Sequence, residues 1–341
     1  MESPLLTIPG AVAADFPDVG VAAHYGDPYA EQRALAQTAG LVDRSDLDVI
    51  KISGPDRLSW LNSLSTQKVD QLEPGVAVTT LILSPHGHVE HHLSMVDDGT
   101  DSWVHVEPGE GASLLDFLES MRFMLRVSAH DVSADKAVLT VQGPAVPADV
   151  ARSAGATAAM DHGFGTDLVV DRAQLGHIAS ALRLSGVALA GAWAYDAIRI
   201  AAHRARFGTD TDHRTIPHEV GWVESAVHLS KGCYRGQETV ARVHNLGHPP
   251  RRLVMLHLDG SEDRLPQHGE AVMLDDSPVG FVGSSARHYE LGPIALALVK
   301  RTVPVSATFS VAGISAAQEV IVSPDAGANV KITLGRRRGG L

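Results

Sequence analysis

The sequence predicts an α+β protein: two related α+β lobes followed by a small antiparallel barrel or sandwich. Three observations carry this. Ile50-Lys51-Ile52-Ser53-Gly54-Pro55, followed by the helix-like DRLSWLNSL, is echoed by Leu139-Thr140-Val141-Gln142-Gly143-Pro144, followed by AVPADVARSAG. Each copy reads as a half-buried strand broken by a Gly-Pro turn and then a helix. From about Arg251 the chain changes to short alternating strands punctuated by Gly, Pro and Asp, without long helices. Finally, 44% hydrophobic and 20% charged residues in a chain of 341 are ordinary globular values and exclude collagen-like, coiled-coil and wholly disordered chains.

The elements follow in order. After the first repeat copy, VAVTTLILS, HVEHHLSMV and DSWVHVE read as strands. GASLLDFLESMRFML reads as an amphipathic helix with Leu114, Leu115, Leu118, Met121 and Leu125 on one face. The second copy continues through the strand DLVVD and the helices AQLGHIASALRLSG and AWAYDAIRIAA. A domain boundary is expected near His248-Pro249-Pro250. Beyond it RRLVMLHLDG, EAVMLDDSPVGFVGSSARH, IALALVKR, ATFSVAG and AQEVIVSP supply the strands of the last domain. The terminal GRRRGGL reads as a solvated tail.

Forty acidic against 28 basic side chains give a formal charge of −12, which repels a phosphate backbone, so no direct nucleic-acid binding is expected. No apolar run approaches the roughly 18 residues of a membrane span, and the N-terminus lacks a basic segment followed by an apolar one. A cytoplasmic protein without membrane association is expected. Cys233 is the only cysteine, so an intramolecular disulfide and Cys-rich zinc patterns are excluded.

That cysteine sits in Lys231-Gly232-Cys233-Tyr234-Arg235-Gly236-Gln237-Glu238. The flanking glycines allow a tight exposed turn, and a helix is expected to start near Gln237. A thiol just before a helix N-terminus, with Lys231 and Arg235 close by, should gain thiolate character, as a nucleophile or soft metal ligand needs. A second candidate is the strand bearing His86, His88, Glu90 and His92. Period-two alternation would place these on one face with His91 opposite, giving ligands competent for zinc or iron, or else a polar face toward solvent or a cavity. Asp210, Asp212 and His213 in TDTDHR read as a polar loop. Phosphate-binding glycine loops and a GxSxG nucleophile elbow are missing.

KGCYRGQE, preceded by RFGTDTDHRTIPHEVGWVESAVHLS and followed by TVARVHNLGHPPRRLVML, resembles the signature of the YgfZ-type folate-binding iron–sulfur maturation factors, paralogues of the glycine-cleavage T-protein, an aminomethyltransferase. The resemblance runs from about residue 30 to 325. It implies a T-protein-like three-domain ring: two ferredoxin-like lobes related by internal duplication, and a C-terminal antiparallel β-barrel, around a central hole. The first lobe would be discontinuous, 1–46 and 135–248, and carry the cysteine loop; 47–134 would form the second, 249–335 the barrel and 336–341 a tail.

For function, the resemblance implies assembly or repair of [4Fe–4S] proteins, including radical enzymes that modify tRNA. Cys233 would act as the family's hallmark thiol, with Lys231 and Arg235 offsetting negative charge. The partners would be iron–sulfur scaffold or carrier proteins and their client enzymes. A cluster normally needs four protein ligands, so one thiol can hold only a transient, shared one. The resemblance also implies a tetrahydrofolate pocket, for which Tyr195, Arg199, Glu219, Tyr234, Gln237, Glu238 and Arg242 are the candidates. The sequence departs from the T-protein pattern at both carboxylate positions: His91 and His92 stand where paired aspartates would be, and Ala201 where a glutamate would be. Folate-dependent one-carbon transfer, or folate binding without catalysis, is the alternative. T-protein chemistry passes its aminomethyl group between a lipoyl arm and folate and needs no thiol.

Overall fold

The computed structural model describes residues 1–261 and 263–329. The Arg-rich tail lies outside the described residues. Among the described residues, two five-stranded sheets, a closed six-stranded barrel and a short two-stranded sheet of Val12–Ala13 and Ala22–His24 make up the architecture.

The central segment forms strand Asp48–Ser53, helix Arg57–Leu64, strands Ala77–Leu83, Val89–Asp97 and Asp101–Val106, helix Gly111–Ser120 and strand Ser128–Asp131. The sheet order is Ala77–Leu83, Val89–Asp97, Asp101–Val106, Asp48–Ser53, Ser128–Asp131, with all neighbours antiparallel. Without its edge strand Ala77–Leu83, this is the βαββαβ plan of a ferredoxin-like unit. The second unit repeats the plan from Lys136–Gln142 through Ala158–Asp161 and Thr166–Asp171 to Ala188–Ala190, with helix Leu175–Leu184 as its second crossover. Gly40–Asp43 is inserted between its first and last strands.

The repeated Gly-Pro turns have a common physical cause. Gly54 has φ +113° and Gly143 φ +122°, both left-handed. A Cβ on either would lie 2.1 Å from the Arg126 carbonyl oxygen or 2.3 Å from that of Thr38. In each copy the strand therefore leaves its sheet through a backbone contact that only glycine permits.

Helix Leu175–Leu184 forms because Leu175, Ile178, Ala179 and Leu182 recur on one face. They pack on Leu41, Leu139, Val141 and Leu168 of the sheet. The other amphipathic helix is shorter than its pattern predicts. It ends at Ser120, Phe123 turns to φ 51°, and Met121 and Leu125 lie outside its buried face, which is built on Leu114 and Leu118.

The two sheets meet face to face through Leu47, Val49, Val96, Trp103, Val138, Met160 and Val169. The barrel closes because Arg251–Leu258 pairs antiparallel with both Gly292–Lys300 and Ile314–Val320, which decides between barrel and sandwich. Arg251 also anchors the barrel: its Nε donates to Glu219 Oε1 at 2.8 Å and its Nη1 to Asp212 Oδ2 at 2.6 Å. No helix among the described residues is long and apolar enough to cross a membrane.

Candidate functional site: a central polar cavity and a thiol loop

A cavity of about 410 Å³ opens where the two sheets, the helix Ala192–Ala201 and the segment after it converge. Alternation along Asp101–Val106 turns Trp103 and His105 toward the opposite sheet. Trp103 completes the apolar layer, and His105 stands where that layer gives way to the cavity. There its Nε2 lies 2.9 Å from Asp167 Oδ2, and His162 Nε2 lies 3.4 Å from the same oxygen. Thr140 Oγ1 donates to Asp167 Oδ1 at 2.6 Å. Burial alone would raise the Asp167 carboxyl, but the contacts with His105 and His162 overcome it and hold the group well below the usual carboxylate range.

The neighbouring wall is charged and largely paired. Arg206 Nε donates to Glu107 at 2.7 Å and its Nη1 to Asp18 at 2.7 Å. Burial opposes ionisation of Glu107, yet Arg206 and Arg44 keep it below its ordinary range. Arg44 stacks 4.8 Å over the Tyr195 ring. Two buried guanidinium nitrogens, Arg44 Nε and Arg206 Nη2, lack hydrogen-bond partners. His92 packs 4.5 Å from Trp222, and burial pulls it down to about 4, so it is neutral at physiological pH. The cavity thus offers aromatic faces, a neutral imidazole and a lining of arginine side chains, which suits a flat polar ligand with acceptor atoms.

Among the pocket residues expected from the sequence, Tyr195 and Arg199 reach the cavity. Burial raises the Tyr195 hydroxyl, which is therefore neutral. Arg199 is largely engaged, donating to Asp196 at 2.6 Å, to Asp210 at 2.8 Å, to the Arg204 carbonyl at 3.0 Å and to Ser284. It joins its helix to the barrel. Asp210, read as part of a polar loop, is buried and receives this bond. Glu219 is fully buried outside the cavity wall, accepting from Arg251 and from the Ile216 amide at 3.1 Å. It is a fastening to the barrel rather than a ligand contact. Tyr234 is a core residue, packed with Leu83, Val89, Val240 and Leu253. Gln237 and Glu238 begin helix Gln237–Leu246, and Arg242 lines a separate groove with His86, His88 and His248. Ala201 packs partly buried against the core.

The histidine strand does not assemble a site. His86 and His88 fall in a turn through Gly87 at φ +81° before the strand begins at Val89. The turn breaks the alternation and carries both imidazoles to the Arg242 groove. Glu90 receives the Arg235 guanidinium, His92 enters the central cavity, and His91 turns to the opposite face beside Phe117 at 6.2 Å. Among the described residues the group with metal-ligand spacing is instead His105, His162 and Asp167. Sequence reasoning missed it because its members come from separate strands and a turn; the only local signal was His105 alternating with Trp103.

Cys233 is exposed, in the turn just before the helix that begins at Gln237. The flanking cations do other work than offsetting charge at the thiol. Lys231 is buried and donates from Nζ to the carbonyls of Asn62 at 2.5 Å, Ser65 at 2.6 Å and Gln67 at 2.8 Å. Arg235 is paired with Glu90. Both bonds fasten the loop to the central lobe, and Cys233 is absent from the cavity lining.

Two ferredoxin-like lobes and a barrel enclosing a polar cavity constitute the T-protein fold. The solved glycine cleavage system aminomethyltransferase T from Bartonella henselae shares it, with a TM-score of 0.78 over 93% of this chain and 94% of that chain at 19% identity. The GCVT N-terminal domain model matches residues 9–166, and the glycine cleavage T-protein C-terminal barrel domain model matches 251–334. The chain belongs to the superfamily that joins these two domains. Similar curated proteins are named aminomethyltransferase: that of a Nostoc species is 27% identical over 79% of each chain. The Listeria monocytogenes protein is 25% identical over 87% of this chain and 88% of its own.

Proposed function

We propose that the chain is a folate-binding member of this superfamily that serves the assembly or repair of iron–sulfur proteins through Cys233, rather than an aminomethyltransferase. The observation that carries the reading is the setting of the thiol: exposed, outside the cavity, and on a loop fixed by the Lys231 clamp. A fixed surface thiol suits a partner protein better than a small molecule held in the cavity. Because a cluster takes four protein ligands, a single cysteine can only share its cargo, which calls for a scaffold or carrier on one side and a client enzyme on the other. Radical enzymes that modify tRNA are the expected clients. Of the expected carboxylate positions, His92 lines the cavity, His91 turns away beside Phe117 and Ala201 is packed partly into the core, which disfavours aminomethyl transfer.

The cavity itself supports folate binding. The arginines that line it, Arg44, Arg204 and Arg206, suit the acceptor edge of a pterin, and Trp222 with neutral His92 offers flat surface. A reduced folate bound there would supply one-carbon chemistry. The decisive experiment restores wild type or Cys233→Ala at matched levels in cells lacking the protein, then assays a [4Fe–4S] dehydratase and a radical tRNA-modifying enzyme. Rescue by wild type alone is expected. Equal rescue by both, or no defect in the deletion strain, would sink the reading.

The names of the relatives favour a second reading, folate-dependent one-carbon transfer. It requires turnover with a reduced folate that survives Cys233→Ala and is lost when Arg206 is replaced.

A further inference from the structure

We propose that His105, His162 and Asp167 form a zinc site that joins the two lobes at the floor of the central cavity. The three donors come from different parts of the fold. His105 lies on Asp101–Val106 of the central lobe, and Asp167 on Thr166–Asp171 of the other sheet, with His162 in the turn just before that strand. One ligand atom from each lies within 4.8 Å of the others.

The two donor separations that involve Asp167 match tetrahedral coordination. With metal–ligand bonds of about 2.0–2.1 Å, the edge of the tetrahedron is about 3.3 Å. The observed His105–Asp167 and His162–Asp167 separations, 2.9 and 3.4 Å, bracket that edge. Both imidazoles direct Nε2 at the same oxygen, Asp167 Oδ2. His105 Nε2 takes the short contact, whereas His162 Nε2, 3.4 Å from the same oxygen, is buried and makes no hydrogen bond of good geometry. That nitrogen, held near the carboxylate without a well-formed hydrogen bond, is the independent sign of a missing ligand, because buried polar atoms are ordinarily well paired. Thr140, donating to Asp167 Oδ1 at 2.6 Å, supplies the outer bond that orients a metal-binding carboxylate.

Two imidazoles and one carboxylate suit zinc, and this donor set leaves a fourth position, as zinc sites that bind an exchangeable ligand do. All three side chains line the cavity, so water or a donor atom of the cavity's ligand would complete the site. The assignment does not depend on the cavity holding a folate or on Cys233 acting in iron–sulfur chemistry.

The test uses the full chain stripped with a chelator and titrated with Zn²⁺ against a fluorescent competitor. One equivalent is expected to bind, and His162→Gln and Asp167→Asn should each weaken it by at least on the order of 100-fold, the most that loss of an outer-shell partner alone typically costs. His86→Gln/His88→Gln, which alters the separate histidine groove, should leave it unchanged. Substitution of wild type with Co²⁺ should give the intense visible absorption of a four-coordinate ion, a readout that does not require the variants to fold. Failure of wild type to bind one equivalent tightly, a six-coordinate cobalt spectrum, or binding lost in the groove variant and kept in His162→Gln would each overturn the assignment.

Discussion

Lys231 shows how a residue type legible in the sequence can serve an end that is not. Its ammonium lies against the carbonyls of Asn62, Ser65 and Gln67, at and beyond the C-terminus of helix Arg57–Leu64, where the helix dipole favours positive charge. Burial pulls the group down to about 8, and these carbonyls are its hydrogen-bond partners. Lys231→Met would keep the buried stem and leave those acceptors unpaired. A loss of about 2–3 kcal/mol in urea unfolding is expected, by analogy with other buried groups deprived of a charged partner. Unfolding within about 0.5 kcal/mol of wild type would show that the clamp contributes nothing net.

At the scale of elements, the thiol loop depends on a contact between two glycines. Gly236, the residue before helix Gln237–Leu246, has φ +81°, and a Cβ there would lie 2.6 Å from the Ser84 carbonyl and 3.1 Å from the Gly87 Cα. Gly236→Ala therefore combines backbone strain with a steric clash and should destabilise the protein by about 2–3 kcal/mol. It should also change the rate at which Cys233 reacts with a soluble disulfide reagent, because the loop must move off the Ser84–His88 turn. An unaltered labelling rate would mean that the thiol's setting is independent of this contact. The glycines, the helix start at Gln237 and the repeated turns at Gly54 and Gly143 were legible in the sequence, because a turn is a local event with local residue preferences. The destination of each charged side chain was not. Glu219 and Arg199 carry the residue types expected of a pocket, yet they bond to Arg251 and to Asp210 and Ser284 of neighbouring elements. The His105, His162 and Asp167 group required knowing that two sheets pack face to face.

For the whole molecule, the seam between the lobes is where pH should act. Asp46 lies in the link between Gly40–Asp43 of one sheet and Asp48–Ser53 of the other, and both its carboxylate oxygens are buried without hydrogen-bond partners. Burial raises it to about 7; Arg44 opposes the shift and Asp18 adds to it. Below about pH 4 the carboxyl is protonated in both folded and unfolded chains. Between about 4 and 7 the folded chain retains a proton that the unfolded chain releases, so this group's contribution to stability falls as pH rises through that window. His92 and His218 have the opposite sign: burial pulls each down to about 4, so between about 6.5 and 4 the unfolded chain takes up protons that the folded chain does not, and their contribution falls as pH falls through that window. Asp46→Asn removes only the alkaline cost. The variant should match wild type near pH 4 and exceed it by on the order of 2–4 kcal/mol at pH 8, while both keep the same acid limb, to which the two histidines contribute. Denaturant unfolding at pH 4, 6 and 8 measures this. A stability difference that stays constant across the three would place the effect of Asp46 in packing and not in its charge.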